Sequence, residues 1–137
     1  MKELIIEARR ENFERVMEFL NEQLEKTGCP KAVQRKLDVA AEEIFVNITS
    51  YAYEPETGDA VIRFCHKTEP DRIELTFIDE GIPYDPLKKE DPDISMPVMQ
   101  RKIGGLGIYM VKKTMDDVRY ERTEGKNILT IMKRMEM

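Results

Sequence analysis

Glu43 and Asn47 stand four residues apart in the segment EEIFVN, residues 42–47. On a helix their side chains leave the same face, one turn from each other. A carboxamide oxygen there can hold a Mg2+ ion, and a neighbouring carboxylate can then take a proton from a hydroxyl or a water. Taken alone, the pair reads more simply as a solvated Glu and a polar Asn. Further on, FIDEGIPYDP (77–86) ends an apolar run in Asp79 and places Gly81 two residues later. An Asp at a strand end can accept a hydrogen bond from an exocyclic amine such as adenine's, and a glycine lets the chain turn close to a flat ligand. An ordinary turn built from Asp, Gly and Pro explains those letters equally well. In a third cluster, IGGLGIYMVKKTMDD (103–117), Gly104, Gly105 and Gly107 lead straight into a helix. Backbone N–H groups at the positive end of that helix can hold a phosphate. The plainer alternative is a hinge before a core helix. The cluster is not a P-loop, because no Lys-Ser or Lys-Thr follows its last glycine, and it does not directly follow a strand as a dinucleotide fingerprint does.

The elements that must position these residues are legible from periodicity. Residues 2–8 read as a short strand. After Asn12, read as an N-cap, Phe13, Val16, Met17, Leu20 and Leu24 fall at helical spacing, and Gly28 ends that helix. Pro30 starts the next, whose stripe of Val33, Leu37, Ala40, Ile44 and Ile48 predicts a helix to about Tyr51. AVIRFCHK and RIELTFID read as an antiparallel strand pair. Between Gly81 and Gly107 the text is rich in proline and charge, and so long a loop in a compact domain is uncommon unless functional or mobile. IYMVKKTMDD then reads as a helix, with VRYER and KNILTIMKR as the last strands. This order predicts a two-layer α/β (α+β) sandwich: a mixed, largely antiparallel sheet with helices on one face.

Composition narrows the function. The length of 137 residues suits one domain, and 41% hydrophobic with 36% charged residues suits a soluble globular protein. Acidic residues outnumber basic ones 27 to 22, for a net charge of -5, which argues against a direct nucleic-acid partner. An anionic ligand would need a local positive potential, from a helix N-terminus or a bound Mg2+. No apolar run approaches the ~18–20 residues of a membrane span, and MKELIIEARRE lacks a signal-peptide core, so no membrane partner is expected. Cys29 and Cys65 have no metal-ligand spacing and read as reduced thiols, which points to a cytoplasmic protein.

In order and spacing, E-x-x-x-N on a helix, D-x-G-x-P after a strand and G-x-G into a helix resemble the ATP-binding superfamily of gyrase and histidine kinases (GHKL). Within it, AAEEIFVNITSYAY, DEGIPYDP and GGLGIYMVKKTMDDVRYER resemble the anti-sigma-factor serine/threonine kinases. The resemblance runs from about residue 10 to the C-terminus. It implies the Bergerat ATP-binding fold in a single domain, 1–137, with 84–104 as an ATP lid. It implies ATP and Mg2+ as cofactors, a homodimer, and two partners: a sigma factor that is sequestered and an anti-anti-sigma antagonist that is phosphorylated on Ser or Thr. Residue by residue, Glu43 would be the catalytic base and Asn47 the Mg2+ ligand. Asp79 would contact adenine, Gly81 would make room for the ring, and Gly104, Gly105, Leu106 and Gly107 would offer backbone to the phosphates. Arg101 matches a lid arginine that approaches the terminal phosphate, although it stands farther ahead of Gly105 than in many relatives. Tyr51 occupies a place where relatives often have His. Thr130 is a substitute for a threonine usual near the start of the last strand, where Ile128 and Leu129 stand here.

Two rival readings carry over: a non-catalytic ATP-binding regulatory module, and a detached histidine-kinase catalytic domain. Glu43 weighs against both, since a pure binder needs no base and histidine kinases usually lack that glutamate. His66, on a strand read as edge-like, is assigned to packing or surface rather than catalysis.

Overall fold

Buried and exposed positions alternate along the strands, as a sheet covered on one face requires. The computed structural model describes residues 1–53, 58–88 and 106–135. Among them are β1 (Lys2–Glu7), α1 (Phe13–Thr27), α2 (Lys31–Asn47), β2 (Asp59–Lys67), β3 (Arg72–Asp79), α3 (Leu106–Thr114), β4 (Asp117–Thr123) and β5 (Lys126–Arg134). The sheet runs β1-β2-β3-β5-β4, and all of its pairings are antiparallel rather than mixed. β2 is therefore an interior strand, not an edge, and His66 near its end pairs with Asp71 beyond the turn. β5 inserts between β3 and β4, so its first residues lie opposite the last residues of β3, with Asn127 facing Asp79.

One face of the sheet meets the helices. Val16, Leu20 and Leu24 of α1 and Leu37, Ala41, Ile44 and Phe45 of α2 join Ile62, Phe64, Leu75, Phe77, Leu129 and Ile131 in a single core. Gly28 ends α1 in the left-handed region (φ 72°), and its N–H reaches back to carbonyls of the last turn. Asn12 sits at the N-cap position but does not cap. Its amide donates instead to the Glu7 carbonyl at 2.8 Å, closing the link from β1. α2 also ends earlier than its apolar stripe suggests. α-Helical bonding stops at Asn47, and Ile48–Ala52 continue as one π-helical turn, a wider coil that is frequent at functional sites.

Leu37 is fully buried, so Leu37→Ala should destabilise the fold by about 2–5 kcal/mol, measured by urea unfolding. Asp38 next to it tests the same interface electrostatically. Its Oδ1 is buried with no hydrogen-bond partner, and burial pushes its carboxyl above the usual range, partly opposed by Asn21. The folded chain thus holds this proton to higher pH than the unfolded one. Stability tied to Asp38 should fall as pH rises through the ordinary carboxylate range towards the raised value. Asp38→Asn should flatten that fall and raise the neutral-pH melting temperature, as thermal melts across the acid-to-neutral range would read.

Candidate active site

A cleft with a cavity volume of about 40 Å3, partly open to solvent, lies between α2 and the β3–β5 end of the sheet. Ile44, Ile48, Phe77 and Leu129 give it apolar walls, and Asn47, Asp79, Tyr120 and Asn127 bring polar groups into it. That combination of mostly apolar lining with a few fixed polar groups suits a flat heteroaromatic ligand.

Asp79 ends β3 only 6% exposed, so its carboxylate must find donors within the protein. Oδ1 accepts the Gly81 N–H at 2.9 Å and the Asn127 Nδ2–H at 2.9 Å. Both lone pairs of that oxygen are thereby used, and Oδ2 is the acceptor left for a ligand. The Gly81 peptide is held from its other end too, since Arg122 Nη1 donates to the Gly81 carbonyl at 2.8 Å. The π-helical turn after α2 presses on the same loop. Ala52 O accepts the Ile82 N–H at 2.9 Å, and a Cβ at Gly81 would lie 2.2 Å from that same carbonyl oxygen. Glycine is therefore required at 81 by close backbone approach. Tyr53 Oη, which accepts from Glu80 N and donates to Asp59 O, both at 2.7 Å, ties this loop to the start of β2.

Glu43 and Asn47 emerge one turn apart on α2. Asn47 lines the cleft beside Asp79. Glu43, half-buried, points its carboxylate at the first turn of α3, where a Cβ on Gly107 would stand 1.9 Å from Glu43 Oε2. Leu106 begins α3, so Glu43 faces the helix end whose free N–H groups favour negative charge. Glu42 is exposed.

Other positions fall differently. Thr130 lies on the opposite face of β5 from Leu129 and Ile131, and its hydroxyl meets Thr76 at 3.3 Å across the sheet. Strand alternation turns it to the face of the sheet away from the cleft. Tyr51 is 43% exposed in the π-helical turn and stacks on Tyr84, 5.5 Å between ring centroids. Arg101, Gly104, Gly105 and most of the 84–104 segment lie outside the described residues. Reading by residue type misses Asn127, Tyr120, Arg122 and Tyr53. For Asn127 a signal exists: it shares the core-facing parity of Leu129 and Ile131. Among the described residues no cluster of His, Cys, Asp and Glu is arranged to hold a metal, and no helix is long and apolar enough to cross a membrane.

The antiparallel sheet, the helical layer and this cleft define an ATPase-type nucleotide fold, and comparison with known proteins agrees. Residues 6–133 match the family described as histidine kinase-like ATPase domain. The serine-protein kinase RsbW of Bacillus thuringiensis subsp. konkukian is 33% identical over 97 residues, 68% of this chain and 59% of that protein. RsbW of Bacillus cereus (strain AH187) is 32% identical over 108 residues, 76% of this chain and 66% of that protein. The chain thus spans about three-fifths of the length of the curated relatives it matches. It belongs to the histidine kinase-like ATPase domain family.

The two glycines make opposite predictions. Gly81→Ala forces a methyl into the backbone carbonyl of Ala52 and should cost about 1–3 kcal/mol of stability. Gly107→Ala meets only the end of the flexible Glu43 side chain, so the carboxylate should swing aside and the melting temperature should stay near wild type. Paired thermal melts read the difference.

Proposed function

We propose that this chain binds Mg-ATP in the cleft and transfers the terminal phosphoryl group to a Ser or Thr hydroxyl of an anti-anti-sigma antagonist protein, and that it also sequesters a sigma factor. The observation that carries the reading is the convergence of Asp79, with one carboxylate oxygen left over, Asn47 in the same cleft, and Glu43 against the start of α3. The RsbW relatives, named as serine-protein kinases, support the kinase branch. In this scheme Asp79 Oδ2 accepts the adenine amine, and Gly81 leaves room for the ring. The side-chain oxygen of Asn47 is a hard donor of the type Mg2+ takes alongside phosphates and water, so the residues present fit that ion. Mg2+, when bound, would offset triphosphate charge that the acidic chain does not.

The substrate hydroxyl oxygen forms the new bond to the terminal phosphorus while the bond to the bridging oxygen breaks and ADP departs. Glu43 receives the hydroxyl proton. The N-terminal turn of α3, beginning at Leu106 and Gly107, supplies donors for the phosphoryl oxygens. We read the protein as a cytoplasmic homodimer without a direct nucleic-acid partner.

The test pairs two changes on one helix. Asn47→Ala should lose most Mg-ATP affinity by calorimetry. Glu43→Ala should keep ATP binding while phosphate transfer from labelled ATP to antagonists encoded in the same genome falls by about 100- to 10,000-fold. Wild-type transfer by Glu43→Ala would remove Glu43 as the base and turn attention to Glu42. A wild type that binds ATP and a sigma factor yet phosphorylates no antagonist would leave a regulatory binding module.

A further inference from the structure

Asn127, buried at this end of the cleft, uses every hydrogen-bonding position its side chain has. It is 6% exposed. Nδ2 donates to Asp79 Oδ1 at 2.9 Å and to the Ile82 carbonyl at 2.8 Å. Oδ1 accepts the Tyr84 N–H at 3.3 Å and the Tyr120 hydroxyl. Two donors and two acceptor sites are all an Asn side chain has. The partners also fix which way the amide faces, because a backbone N–H can meet only its oxygen and a backbone carbonyl only its nitrogen. The Asn127 N–H on Asp79 is therefore set by the two backbone contacts, to Tyr84 and Ile82, and it holds one carboxylate oxygen inward.

We infer that Asn127 is a positioning residue for base selection: by occupying Asp79 Oδ1 it presents Oδ2 as a bare acceptor, which selects a purine carrying a 6-amino group over one carrying a 6-oxo group. This rests on the reading of Asp79 as the contact to the base. Without the Asn127 donor, the carboxylate has only the Gly81 N–H to orient it, and it is free to turn. A site that hydrogen-bonds a ligand group rejects an analogue that cannot match it only as well as its own groups are held.

The experiment measures Mg-ATP and Mg-ITP affinities by calorimetry for the wild type, Asn127→Leu and Asn127→Thr, with folding checked by circular dichroism. The wild type should prefer ATP. In Asn127→Leu, of similar size but without a donor, the ATP-to-ITP ratio should fall about tenfold, the scale of one hydrogen bond to a charged group. Asn127→Thr, whose hydroxyl can still donate to Asp79, should recover most of the ratio. Should Asn127→Leu fail to fold, Asn127→Ala carries the same test, since it also removes both N–H donors and adds no charge beside Asp79. Equal loss of both nucleotides with the ratio unchanged would reduce Asn127 to a structural role and overturn the inference. A wild type with no preference for ATP would overturn the assignment of Asp79 instead.

Discussion

Burying a carboxylate without partners costs several kcal/mol, and this constraint organises the end of the cleft where β3 meets β5. Asp79 is nearly sealed at the end of β3, so donors had to come from elsewhere in the fold. One comes from its own turn, the Gly81 N–H, and one from β5, the Asn127 amide. The second is available only because β5 lies between β3 and β4 and runs antiparallel to β3 in a register that places Asn127 across from Asp79. A slip of one residue would turn Asn127 to the other face and leave Asp79 short of a partner. Sheet order, register and turn shape are thus mutually required around one oxygen atom.

The same logic explains the end of α2. An α-helical turn continuing from Asn47 and a π-helical turn differ in where they send the following carbonyls. Here the π-helical turn brings Ala52 O to the Ile82 N–H and against Gly81. The helix that carries Glu43 and Asn47 is thereby joined to the loop after Asp79 through backbone contacts, which the Tyr51–Tyr84 stack and the Tyr53 hydroxyl reinforce. The two motifs, more than thirty residues apart in sequence, become one rigid frame.

Much of this is legible in the letters because it rests on local periodicity. Stripes such as Val33–Leu37–Ala40–Ile44 and alternations such as those of β2 and β3 report a buried face directly. What escapes notice depends on partners distant in sequence. Apolar spacing continues through Ile48 into the π-helical turn, so the change of coil leaves no trace in the letters. Asn12 has the type and place of a cap, but the Glu7 carbonyl, distant from any cap position, takes its amide. Whether β2 is an edge depends on where β1 pairs. Thr130 has the type of the missing threonine, although the parity of β5 sends it to the face opposite Leu129 and Ile131. Asn127 has no telling type, yet that parity places it inward, and a polar residue on the core face of a strand must have partners to find.

The two ends of the site are built to different stiffness. At the base end, Gly81 is held through its N–H, its carbonyl and the backbone behind its Cα, and Asn127 has no freedom left. At the other end, Glu43 meets Gly107 only through the tip of a long side chain. Recognition of a flat ring rewards preorganisation, because any motion of the acceptor spends affinity on reordering. In the proposed reaction, a group that receives a proton from an incoming hydroxyl, beside a phosphate that arrives with its own negative charge, gains from being able to move. In a chain with a net charge of -5, a glutamate fixed by strong hydrogen bonds at the start of α3 would compete with phosphate for the same N–H groups. A glutamate in loose contact can give way. The glycine at 107 allows that arrangement by leaving space for the carboxylate, where any larger residue would decide its position in advance.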